Sequence, residues 1–466
     1  AITIDAGDLI TQDGAIGSDN TTASVAITST TGSIDSNNTI DALGDISVDA
    51  GQDVDLLDLV TSGAALSLNA GGSIAAVSTI NGDSVEVDGG ADVSLAEVKA
   101  EAGDAILAAG LDLTLTGVVD AATGNIVATA GNDLTQLAAL GGDQSTNNVT
   151  LTATTGTLTS SETVDAIDSV DATAGLDLNA AAPITAANGS IALTTLAGDL
   201  NSGEILTAET GVIVDGAANV SVDRVLAFNG DTTLRAGSNI TLTDAVDARG
   251  GNDVVVWAGQ NVTQTAAVGG DQATDNVTIT ADTGAILSTN TIDATVDVAL
   301  SSGSSTTLGA AVVADTGDIT IGSGVNVTAA DELTATAGAI DIDAVEDVAL
   351  AALVTAGTTI DVNAGGTSAF AELHAGDDIT LDADVDLTLT GAVNADGADI
   401  VATAGRDLTA TAALGGDQTT DNIDLTAVLG TVTTSSTVDA TETIDYVAGA
   451  NIVAGQTDAL DAITTD

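Results

Sequence analysis

The stretch Gly44-Asp45-Ile46-Ser47-Val48-Asp49-Ala50-Gly51-Gln52-Asp53-Val54-Asp55-Leu56 is the one from which the rest of the chain is read. Apolar Ile46, Val48 and Ala50 alternate with polar Ser47 and Asp49, and a period of two means a strand with one face inward and one wet. Gly51-Gln52-Asp53 breaks the alternation, and Val54-Asp55-Leu56 takes it up again. Variants recur as Ala65-Leu66-Ser67-Leu68-Asn69-Ala70-Gly71-Gly72-Ser73-Ile74 and Val85-Glu86-Val87-Asp88-Gly89-Gly90-Ala91-Asp92-Val93-Ser94-Leu95. Shorter copies stand at Ala109-Gly110-Leu111-Asp112-Leu113, Ala174-Gly175-Leu176-Asp177-Leu178 and Ala375-Gly376-Asp377-Asp378-Ile379. Cutting at corresponding glycines divides the 466 residues into roughly 22 units of about 20 to 22 residues, and a nearest-neighbour repeat stack has that organisation.

Two or three short strands per unit, joined by Gly, Asn and Asp corners, make one turn of a parallel β-helix. Each strand then pairs with its counterpart one turn on. About 22 turns at roughly 4.8 Å each predict a single continuous β-solenoid over 1–466, roughly 106 Å long, without a separate globular domain. The usual hand of parallel crossovers makes it right-handed. A β-sandwich also alternates, but it would lack so steady a register and would want an aromatic-rich core. Here there are two Phe, one Tyr, one Trp and no Met. Such a core is thin and layered. The 52 Gly suit tight corners, and the one Pro spares an otherwise continuous ladder.

A longer period overlies the short one. Gly141-Gly142-Asp143-Gln144-Ser145-Thr146-Asn147-Asn148 returns as Gly269-Gly270-Asp271-Gln272-Ala273-Thr274-Asp275-Asn276 and as Gly415-Gly416-Asp417-Gln418-Thr419-Thr420-Asp421-Asn422. A worn copy opens at Gly17. Blocks of six or seven turns, beginning near 17, 141, 269 and 415, are thus expected to be duplicated, with each motif at a slightly longer, bulged corner in units of 22 or 23 residues.

Sixty-eight acidic residues against five basic ones give a net charge of −63. Phosphate contacts need the opposite sign, so nucleic acid is excluded as a partner, and an anionic membrane surface is disfavoured for the same reason. No run of about 18 apolar residues offers a spanning helix. There is no Cys from which to read a redox compartment, and no basic segment followed by an apolar one opens the sequence, so any export signal is expected upstream or already removed.

The Ala-Gly-x-Asp/Asn-Ile/Val/Leu-x-Leu signature and its companion strand resemble the haemagglutinin repeats of filamentous haemagglutinin-type adhesins and other giant bacterial surface proteins. The resemblance covers essentially the whole chain and rests on repeat texture. It implies a secreted, elongated, right-handed β-helical stalk that works in attachment or aggregation at the cell surface. The family's secretion module, marked by Asn-Pro-Asn motifs, is not among these residues, whose one proline is Pro183. Both ends lie inside the repeat pattern, as expected for a slice of a longer array or for a filament subunit stacking end to end.

The fourth signature position repeats as Asp53, Asp92, Asp112, Asp133, Asp177, Asp199, Asn219, Asn239 and Asn261. One reading makes these corner residues that tolerate left-handed backbone geometry, in places as an Asn ladder. The other makes Asp53, Asp92 and Asp112 part of a column binding calcium or other divalent cations, because stacked carboxylates repel unless bridged. Asp143, Asp271 and Asp417, each beside permissive glycines, are candidates of the same kind or contact points spaced for lateral bundling. No cofactor is required. Sixty-three charges on such a rod approach the linear density of duplex DNA, so a counterion sheath is expected.

Catalysis finds little footing. A polysaccharide-degrading β-helix would need a base beside paired acids, yet only Lys99, Arg224, Arg235, Arg249 and Arg406 are available. The three clustered arginines read as salt-bridge relief in an acidic field. Trp257, Tyr446, Phe228 and Phe370 are scattered, and His374 has no Cys or second His as partner. Sequons at Asn148, Asn188, Asn219, Asn239, Asn261, Asn276 and Asn326 would accept glycans on an exposed protein. The expectation is a non-enzymatic extracellular stalk whose partners are other copies of itself or a ligand on a host or neighbouring cell.

Overall fold

The computed structural model describes every residue except 18–20, 143–144, 271–273, 417–418, 460–461 and 466. The chain falls into two compact units, Ala1–Phe228 and Asn229–Asp466. Each is a parallel β-solenoid, and among the described residues there is no helix. Eleven long strands, from Ile2–Ala6 to Gly211–Gly216, stack along one face of the first unit; twelve, from Thr232–Ala236 to Ala462–Thr465, do so in the second. Two shorter strands complete most turns, as Val54–Leu56 and Val60–Ser62 do after Ile46–Ala50.

The predicted alternation is the observed burial. Ile46, Val48 and Ala50 are buried while Ser47 and Asp49 are not. Registers then pile like on like. Ile46 lies beside Leu66, Leu66 beside Val85, Val85 beside Ala105 and Ala105 beside Ile126, all in parallel pairs. Each layer therefore buries the small aliphatic residues that composition supplies, and no bulky side chain is needed to bridge the interior. Phe370 and Tyr446, at 2% and 1% exposure, are the exceptions that enter it.

The signature glycine has a steric cause. A Cβ on Gly71 would strike the carbonyl of Gly51, and the same holds for Gly90 against Gly71 and Gly110 against Gly90. Successive turns approach there to a backbone separation that leaves no room for a side chain. Turn length follows from the registers. It is 19 residues from Ile74 to Val93 and 24 from Leu134 to Leu158, a wider spread than 20 to 22. Most length changes fall at corners; two fall within paired strands, where the register shifts between Asn252 and Val254 and between Leu350 and Leu353.

Candidate functional site

The recurrent Gly-Gly-Asp-Gln corner lies in the 23-residue turns, as the register from Ile126 to Val149, Val254 to Val277 and Ile400 to Ile423 shows. In these turns the third strand shrinks to a single bridging residue. Leu140 bridges Val119 and Val164, Val268 bridges Val246 and Ile292, and Leu414 bridges Val393 and Val438. The chain must then leave the ladder at once. Gly17, Gly141, Gly269 and Gly415 do so at φ of 75°, 68°, 74° and 66°, in the left-handed region. An added Cβ at Gly141, Gly269 or Gly415 would also strike the next turn's carbonyl, at Asp165, Asp293 or Asp439.

Beneath each loop sits a plug. Thr146, Thr274 and Thr420 are fully buried, and their Oγ1 atoms accept the N–H of Ala121, Ala248 and Ala395, each at 3.3 Å. Asp247, 6% exposed, accepts the N–H of Gly270 through Oδ1 at 3.1 Å, and Asn394 accepts that of Gly416 at the same distance. A second element was missed in the sequence. Gln136 and Gln264, both fully buried, donate from Nε2 to the carbonyls of Ala138 and Thr163 and of Ala266 and Thr291. Ser160 Oγ donates to Gln136 Oε1. The signal was available: Gln stands where neighbouring units have Ala, Leu or Ser. Asp143, Asp271 and Asp417 lie outside the described residues, so their cation-binding role has no geometry here.

The signature carboxylates form columns, but their geometry differs from the expected one. Among the described residues the only non-glycine with positive φ is Thr123, at 67°, so none of these corner Asp or Asn residues is left-handed. Eight of the nine instead reach forward to the next turn's backbone. Asp53 Oδ1 accepts the N–H of Ser73 at 2.8 Å, Asp92 that of Asp112 at 3.3 Å, and Asp112 that of Asp133 at 3.0 Å. Asp133 then accepts from Thr157, Asp177 from Asp199 and Asp199 from Asn219. In the second unit Asn239 accepts from Asn261, and Asn261 from Ala285. A parallel column precedes the long strands, where Asp253, Asn276, Asp297 and Asp318 accept from Asn276, Asp297, Asp318 and Ala339. Asp92 and Asp112 are brought to adjacent turns, whereas Asp53 is separated from them by the Ser73 turn. No group of three or more acidic, His or Cys residues among the described ones has metal-holding geometry.

Outward faces divide by charge. Asp341 pairs in register with Asp361, and Asp343 lies two residues along from Asp341. Burial, then the neighbouring carboxylates Asp343 and Asp361, push the Asp341 carboxyl up; Asp361 is raised by burial and by Asp343 and Asp382. Asp386 is held down, chiefly by its hydrogen bond with Arg406, and Glu97 by hydrogen bonds from Lys99 and Thr79. Ion pairs with acidic neighbours are made by Lys99 with Glu97, at 2.9 Å, and by Arg406 with Asp386, neither of which is among the three arginines expected to give salt-bridge relief. Of those three, Arg224 and Arg235 make no ion pair with any described residue. His374 meets Glu372 at 3.1 Å.

No family model, no curated protein and no solved structure matches this chain.

Proposed function

We propose that this chain is a load-bearing, non-enzymatic extracellular stalk: a segment of a giant repetitive adhesin that holds a surface in attachment or aggregation. The observation that supports this reading is the in-register parallel ladder within each unit, where every turn hydrogen-bonds to the next along strands and corners alike. Because each repeat contacts only its neighbours, tension on such a stack is met turn by turn, and the loss of one turn leaves the others folded. The acidic surface supports the same role. It keeps neighbouring chains apart and gathers a diffuse sheath of divalent counterions.

Pulling on single molecules tests the mechanical claim. A stalk should unravel in steps of one turn, roughly 70 Å of extended chain for about 21 residues. One abrupt collapse of either unit would refute it. The mass of the native material after strong denaturation separates two forms of the stalk: a band at 44.9 kDa marks a filament subunit, a far larger one a slice of a longer adhesin. Release of unsaturated or reducing ends from polysaccharides, abolished by substituting Arg224 or Arg249, would replace the stalk with an enzyme. Chelator should loosen bundles across a salt series, and indifference to it would remove the cation sheath from the account.

A further inference from the structure

The chain's single Trp and its unpaired Arg235 lie side by side. Arg235 on Thr232–Ala236 and Trp257 on Asn252–Ala258 are register partners, both directed outward, and Trp257 is 37% exposed. With Val255 they line a shallow groove of about 410 Å³. The surroundings are unusual for this protein. Level with the pair, the outward positions of five successive long strands are Thr233 and Arg235, Val255 and Trp257, Thr278 and Thr280, Ala299 and Ser301, and Thr320 and Gly322; Asp253 lies further back on the same outward face of its strand. The corner column beside them is acidic, but Asp253 stands four residues before Trp257, roughly 13 Å along the strand. Both sequence runs that form the groove, 232–243 and 254–270, contain no Asp or Glu in a chain that has 68.

We propose that this groove binds a pyranose bearing a single carboxylate, with the ring on the Trp257 indole and the carboxylate on the Arg235 guanidinium. An indole face offers a flat apolar platform to the C–H face of a sugar, and a guanidinium fork matches a carboxylate in two parallel hydrogen bonds. Arg235 makes no ion pair with any described residue, which leaves its guanidinium open to a ligand. The groove holds one or two rings, at the small end of ligand sites. The field of a chain with net charge −63 repels dense polyanions, so an acidic sugar carrying one charge among neutral neighbours fits better than a sulfated polymer. Thr278 and Thr280 on the following strand continue the face with hydroxyl groups for the next residue of an oligosaccharide.

Because Trp257 is the one Trp, intrinsic fluorescence reports on this groove alone. The full chain is titrated with cellobiouronic acid and with sialyllactose, and with cellobiose and lactose as the neutral counterparts. A saturable emission change with an acidic sugar, about tenfold weaker for its neutral counterpart and for Arg235→Gln, is the expected result. Which acidic sugar binds tells a uronate from a sialate. Arg235→Lys keeps the charge without the fork and should lie between. Saturation-transfer NMR on Trp257→Ala should lose the sugar-ring signals. No emission change with either acid at tens of millimolar, equal binding of the neutral sugars, or an Arg235→Gln titration like that of the unaltered protein overturns the proposal. The site stands apart from the stalk reading, since it would remain if the pulling experiment failed.

Discussion

Replacing Gly141 with Ala isolates the constraint that shapes the recurrent corner. Two costs combine there. The backbone sits at φ 68°, where a Cβ costs about 1 to 2 kcal/mol. The new methyl would also strike the carbonyl of Asp165 on the next turn, and displacing a backbone carbonyl that belongs to a ladder adds strain of about 1 to 3 kcal/mol. The neighbour supplies the control. A Cβ on Gly142 would meet only the Ala139 side chain at 3.8 Å, an ordinary contact, so Gly142→Ala should lie within about 0.5 kcal/mol of the parent. Contacts reach only adjacent turns, so the damage should stay local, and hydrogen exchange resolved by peptide suits it better than a global melt. With about 3 kcal/mol lost, amides of the turns around Leu140 and Val164 should exchange roughly a hundredfold faster, while those beyond two turns stay unchanged. Gly269→Ala and Gly415→Ala should reproduce the pattern in their own turns, because the same φ and the same collision recur. Equal protection in the Gly141→Ala and Gly142→Ala variants would refute the steric account.

Thr123 occupies by φ the place held by Gly250 and Gly397 in the corresponding turns, so Thr123→Gly should stabilise the first unit by about 1 kcal/mol in urea titration. Gln136→Leu removes the side-chain donor from the carbonyls of Ala138 and Thr163 and the acceptor from the hydroxyl of Ser160 in a buried corner, although Thr163 keeps the Leu140 N–H and Ser160 the Glu162 carbonyl; a loss of about 1 to 3 kcal/mol, read by exchange at Ser160 to Val164, is expected. The raised carboxyls of Asp341 and Asp361 bind protons more tightly folded than unfolded. Their effect on stability is therefore most favourable at low pH and is lost as pH rises through their folded values. The second unit should gain stability from these groups as pH falls from 7 toward the ordinary aspartate value of 3.8, and Asp341→Asn should raise the pH 7 melting point and flatten the profile; an unchanged profile contradicts the assignment.

The fold was legible because period-two alternation and the Ala-Gly corner each have one geometric solution when repeated at this spacing. Ile46, Val48 and Ala50 could be placed inward from the sequence alone, and they are buried. The corner carboxylates were found but their work was misread. Asp and Asn favour both left-handed corners and the capping of a neighbouring N–H, and only the inter-turn register brings Asp112 Oδ1 to the amide of Asp133. Gln136 was passed over because one polar residue at the end of an alternating run resembles the wet face; its burial depends on a corner that curls over it. Arg235 was assigned to salt-bridge relief by composition, yet it makes no ion pair with any described residue.

The corner columns also have a direction. In every case the oxygen belongs to the earlier turn and the amide to the later one, as in Asp112 to Asp133 and Asp133 to Thr157. A chain delivered from its N-terminus lays down each acceptor before its donor arrives. Every new turn meets a finished, chemically addressed platform, and assembly can proceed as deposition in a single sense rather than as a search among equivalent layers.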